Sequence, residues 1–147
     1  MTDRFTRGLI AGIIAGVPSL IFNVSAYTLN FTNLLWGDFM GLFLFGDRPV
    51  GVAEILFSSL AQAFFLGGLG IIFAFLLPLI SSQNYLLKSS VYGLAVWFMS
   101  FAVAFLFQLP KLENVTLETV VSNFISALLW GLTLGLALNW LDNRLKI

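Results

Sequence analysis

The chain has 147 residues, of which 59% are hydrophobic. Its mean hydropathy is +0.98, its formal net charge is zero, and it contains neither Cys nor His. Zero net charge leaves no electrostatic footprint for nucleic acid. The missing Cys and His exclude disulfides, thiolate nucleophiles, the usual zinc and haem ligands and the commonest general base, so no cofactor, no metal and no enzyme activity is expected.

Four apolar runs, at about 8–29, 55–80, 89–109 and 119–141, contain no Asp, Glu, Lys or Arg. Each reaches the roughly 20 residues that a helix needs to cross a bilayer core. The expected fold is therefore all-α: a single transmembrane domain of four helices over 1–147. Arg4 and Arg7 before the first run imitate a signal peptide. That run is longer than the usual signal core of about 7–15 residues, so it reads as a span.

The first span carries Pro18, which removes one helix hydrogen bond and favours a kink. It also carries Gly8, Gly12 and Gly16 at steps of four, a GxxxG pattern that continues to Asn23. Glycines at that spacing let a second helix backbone approach closely. Between the first two spans, residues 34–46 interleave large apolar side chains with Gly37, Gly41 and Gly46. This stretch is too short to span and too apolar for a solvated loop, so an interfacial or re-entrant helix is expected. The second span holds Gln62 and a cluster of Gly67, Gly68 and Gly70, with Pro78 near its end. The third holds Trp97. The fourth holds Asn123, Ala127, Trp130, Gly131, Gly135 and Asn139.

The two glycine stripes predict that spans one and four pack together through Gly8, Gly12, Gly16, Ala127, Gly131 and Gly135. That pairing would bring Asn23 beside Asn123, and Asn139 near Gly8. Trp97 and Trp130 fall far from the interfaces where Trp is common, and each indole N–H needs an acceptor, for which Ser100, Thr133 and backbone carbonyls are candidates. Together Asn23, Gln62, Trp97, Asn123 and Trp130 form a candidate polar pocket. A faint repeat is also present. Gly8-Leu9 and Asn30-Phe31-Thr32 echo Gly93-Leu94 and Asn114-Val115-Thr116, and Ala63/Gly67 echo Ala127/Gly131.

Cations give the orientation. With the N-terminus cytoplasmic, Arg4, Arg7, Lys88, Arg144 and Lys146 lie inside, and only Arg48 and Lys111 lie outside. The positive-inside rule then places both termini in the cytoplasm of a cell-membrane protein. The leading expectation is a non-enzymatic protein that acts through helix association in the lipid bilayer, as a homo-oligomer or a subunit of a larger membrane complex. The alternative is a small transporter or channel protomer for a solute or lipid.

Several short motifs carry a family likeness: Leu29-Asn30-Phe31-Thr32, Tyr92-Gly93-Leu94-x-x-Trp97, Glu118-Thr119 and Leu129-Trp130-Gly131-Leu132. In these the chain resembles the small four-span YqhR-like membrane proteins of spore-forming Gram-positive bacteria. The resemblance implies a four-span architecture and a bacterial inner membrane, and it supplies no mechanism.

Overall fold

A computed structural model describes residues 3–81, 83–108 and 115–144. Five α-helices follow one another: α1 (Arg4–Thr28), α2 (Trp36–Phe45), α3 (Val52–Leu76), α4 (Tyr85–Leu106) and α5 (Leu117–Arg144). There are no strands among the described residues. Four of the helices are long and apolar enough to cross a membrane, and α2 is the short apolar helix between the first two of them. The loop at Pro110–Asn114 lies outside the described residues, and with it the second half of the Asn30/Asn114 echo.

The helices outrun the apolar stretches because backbone hydrogen bonding continues into the flanking polar residues until a cap ends it. Asp3 accepts from the Thr6 N–H at 2.7 Å and starts α1 four residues early. Asn84 does the same for α4 through the Leu87 N–H at 3.1 Å. Pro78 sits in a 3₁₀ turn (Leu77–Leu79) that closes α3, and α1 runs on as helix past Pro18. Around α2, the Asp38 carboxylate accepts from the Leu35 N–H at 2.9 Å, and Gly46 ends the helix at φ 71°, a left-handed conformation open to glycine without a steric cost.

Helix α1 packs between α3 and α5, and α4 completes the bundle against α5. The core holds Ala11, Ala15, Phe73, Trp130, Leu134 and Leu138. At the opposite end from the termini, α2 lies on α3. There Phe39 is buried with Leu34 and Ala104, and it meets Phe101 edge-on at 5.7 Å.

The glycine pairing differs from the expected one. A Cβ on Gly12 would meet the Leu66 carbonyl at 2.3 Å and the Gly70 Cα at 3.1 Å, so Gly8 and Gly12 lie against α3. Gly16 approaches the Leu66 side chain. A Cβ on Gly131 would meet the Ser89 carbonyl at 2.5 Å and the Gly93 Cα at 3.3 Å, while one on Gly135 would meet Ser89, so both face α4. Each glycine stripe therefore closes its own hairpin, α1 on α3 and α4 on α5. Helices α1 and α5 do pack together, but through larger polar side chains. Asn139 is exposed and bonds Asn143 at 3.3 Å, one turn away, instead of lying near Gly8.

The two hairpins repeat the same close contact. Gly12 meets the Leu66 carbonyl and the Gly70 Cα; Gly93 meets the Ala127 carbonyl and the Gly131 Cα. The structural register is thus Gly12 with Gly93 and Gly70 with Gly131, about one turn away from the register read in the sequence. Carried along the helices, it matches Ser19 with Ser100 and Asn123 with Gln62.

Candidate functional site: a buried polar interface and an open cleft

The α1–α5 interface is held by polar pairs. Ser19 and Ser126 hydroxyls lie 2.7 Å apart. The Asn23 amide donates to the Asn123 carbonyl oxygen at 3.2 Å, and its own oxygen accepts from the Trp36 N–H at 2.9 Å. Asn23 is 1% exposed and Asn123 is fully buried. One amide thus ties α1 to α5 and to the first residue of α2. Further toward the α2 end, the Thr119 hydroxyl on α5 donates to the Asn33 side chain at 2.8 Å and accepts from the Asn33 N–H at 3.1 Å. Trp130 donates to the Gly12 carbonyl at 3.1 Å, so its acceptor is a backbone group exposed by a missing side chain.

The matching interface, α3 with α4, is open. Toward the end that carries the termini it is bridged by side chains. The Tyr92 hydroxyl donates to the Leu69 carbonyl at 2.8 Å, and the Phe73 and Tyr92 rings lie 4.9 Å apart. Beyond that bridge the helices enclose a cleft of about 680 Å³. Leu66, Leu69 and Phe65 of α3 form one wall; Val96, Trp97 and Ser100 of α4 form the other. Trp130 and Ala127 line its base, and Trp36, Phe39, Met40 and Phe43 of α2 line its roof. The volume is within the range of small-molecule pockets, and so is the pattern of apolar walls with few polar groups.

The five sequence-predicted pocket residues therefore divide. Gln62, Trp97 and Trp130 line the cleft; Asn23 and Asn123 belong to the closed interface beside it. Within the cleft, Gln62 is half-buried, and the Trp97 indole N–H is buried without a hydrogen-bond partner. The Ser100 hydroxyl donates to the Val96 carbonyl and the Thr133 hydroxyl to the Leu129 carbonyl, each at 2.8 Å, and neither accepts from a tryptophan: Trp130 uses Gly12 and Trp97 has no partner. Trp97 instead packs edge-on to Phe124 at 5.2 Å.

Sequence reasoning missed Tyr92 and the aromatic roof as parts of this site. It also missed a second cluster at the end carrying the termini, where Arg7 pairs with Asp142 and the Tyr85 hydroxyl donates to the same carboxylate at 3.2 Å. The signal was present as Arg7 and Asp142 flanking the first and last apolar runs; Arg7 was read for orientation and not for pairing. No group of three or more acids that would hold a metal occurs among the described residues.

Fold and site define an all-helical bundle, four of its helices long and apolar enough to cross a membrane, arranged around a lateral cleft. Comparison with protein-family models, curated proteins and solved structures gives no match.

Proposed function

We propose that the chain is a multi-pass membrane protein that binds a bilayer-soluble amphiphile in the α3–α4 cleft. In this reading the four long helices cross the membrane and both termini are cytoplasmic. α2 roofs the cleft at the outer interface. The observation that carries the reading is the cleft itself, with its apolar walls, the buried and unpartnered Trp97 N–H, and the half-buried Gln62 amide. The corresponding interface between α1 and α5 is closed by Ser19–Ser126 and Asn23–Asn123 pairs, with the Asn123 Nδ2 left without a partner. In apolar surroundings, an unpaired indole donor favours a ligand with an acceptor at one point and hydrocarbon elsewhere. Such a site suits a small lipid-handling transporter or binding protein, without covalent chemistry by the protein.

A second reading is helix association, in which a helix of another membrane subunit occupies the same opening. It draws on the sparse cover of α4, whose buried residues are only Ser89, Gly93 and Ala104. The Gly8–Gly16 face is not free for that role, because α3 already occupies it. The YqhR-like resemblance and the bacterial inner membrane fit either reading.

The test is to purify the protein in mild detergent and identify co-purifying molecules by mass spectrometry. Ala95→Phe and Val103→Trp fill the cleft from its α4 wall. The expected result is a defined amphiphile on the parent that both variants lose while keeping their helical content. The same molecules at the same stoichiometry on all three proteins would falsify the cleft as the site. A polypeptide partner lost in both variants would establish the second reading.

A further inference from the structure

A pocket of about 150 Å³ lies at the end of the bundle that carries the termini, separate from the cleft and independent of what the cleft binds. Arg4 and Arg7 of α1, Lys88 of α4 and Asp142 of α5 surround it, so three cations face one carboxylate. That carboxylate is already engaged by Arg7 and by the Tyr85 hydroxyl. Lys88 caps the end of α3, donating to the Ile80 carbonyl at 2.7 Å and the Leu77 carbonyl at 3.4 Å, which leaves one of its three donors. The Arg7 Nε–H is buried and has no partner, although another nitrogen of the same guanidinium holds Asp142. Arg4 has no carboxylate partner among the described residues. The pocket therefore has an excess of two positive charges and N–H donors still to be satisfied.

From these observations we infer that this pocket binds a phosphate-bearing anion. Guanidinium forks match phosphate oxygens in pairs, and an ammonium adds a point charge beside them. The apolar flank of Ala74, Leu77 and Leu138 suits the glycerol and first methylenes of an anionic phospholipid. Basic pockets between membrane helices on the cytoplasmic side hold anionic headgroups, so this choice of ligand rests on the reading that the termini are cytoplasmic. A soluble phosphate shares the chemistry, and the two sources separate experimentally.

The full-length protein in a neutral detergent is titrated with phosphatidylglycerol, with phosphatidylcholine and with inorganic phosphate at low salt, and thermal stability is read out. Parent, Arg4→Gln, Lys88→Gln and Arg144→Gln are compared. Arg144 lies near the same end but stacks over Trp140 at 5.1 Å, outside the pocket. Phosphatidylglycerol stabilises the parent and phosphatidylcholine does not. Arg4→Gln and Lys88→Gln each weaken the apparent affinity roughly fivefold, the contribution of one cation near a charged surface, and Arg144→Gln leaves it unchanged. Arg4 is exposed and makes no structural bond among the described residues, so that variant keeps the test valid if Lys88→Gln unfolds. Stabilisation by inorganic phosphate with the same variant pattern supports the pocket and assigns it a soluble ligand. Equal response to the two lipids without a phosphate effect, or equal loss in Arg144→Gln, overturns it.

Discussion

The Gly12–Gly70 contact makes the sharpest prediction, because α3 carries its own control. A Cβ added at Gly70 would meet the Gly8 carbonyl at 2.3 Å and the Gly12 Cα and N at 2.7 and 2.9 Å. All three are backbone atoms, so no side chain can swing aside. Two residues earlier, a Cβ on Gly68 would meet nothing within 4 Å. Gly70→Ala must separate α1 from α3 by about 1 Å to restore ordinary contact, and overpacking of this kind costs about 1–3 kcal/mol. The better helix propensity of alanine offsets at most about 1 kcal/mol in both variants. Gly70→Ala is therefore expected to lie about 1–3 kcal/mol below Gly68→Ala, and Gly68→Ala at or slightly above the parent. Reversible unfolding in mixed micelles, followed by circular dichroism, measures the difference. Equal stability of the two alanine variants would refute the close α1–α3 contact.

Other outcomes follow from the same geometry. Asn23→Ala removes the acceptor of the Trp36 N–H and the partner of Asn123, at about 1–2 kcal/mol in an apolar setting; hydrogen exchange should rise over 36–45 beyond the global change, and an unchanged α2 would break the link. Burial raises the Asp38 carboxyl above its ordinary 3.8, against the Leu35 N–H bond and the Arg48 charge, which lower it. The folded state then holds this proton more tightly than the unfolded chain, so the parent should lose stability as pH rises from 3.8 through the raised value. Asp38→Asn should remove that slope in a thermal-melt series from pH 3.5 to about 7. Reporters inserted at Lys111 and fused after Lys146 should mark opposite sides of the membrane, and agreement between them would end the four-span topology.

Much of this architecture is legible because long charge-free runs have few alternatives to helices of membrane-spanning length. Residues 34–46 were legible for the same reason in reverse, being too apolar for a loop and too short to span; α2 fills 36–45 of them. The glycine partners were not legible. A step of four residues advances a helix by about 40° beyond a full turn, so one stripe precesses across two neighbours. In α5 the stripe faces α1 at Asn123 and α4 by Gly131 and Gly135. In α1 a single face is shared lengthwise, with α3 against Gly8 and Gly12 and α5 against Ser19 and Asn23. The cleft was half legible. Trp97 and Gln62 stand out as polar groups in apolar runs, but nothing local separates them from Asn23 and Asn123. The interface that closes joins Asn23 to Asn123, 100 residues apart, while the open one lies between α3 and α4, which follow each other in the chain.

The clamp on the α1–α2 connection has a consequence for biogenesis. Asn23, Thr32 and Asn33 all find partners on α5, which emerges from the ribosome some 85 residues after the last of them. Until then the first hairpin can close along its glycines, and Asn23 can accept from the Trp36 N–H, while the Asn23 amide N–H and the Asn33 side-chain oxygen still lack their α5 partners. The early hairpin is thus a provisional structure, and the arrival of the last described helix fixes it.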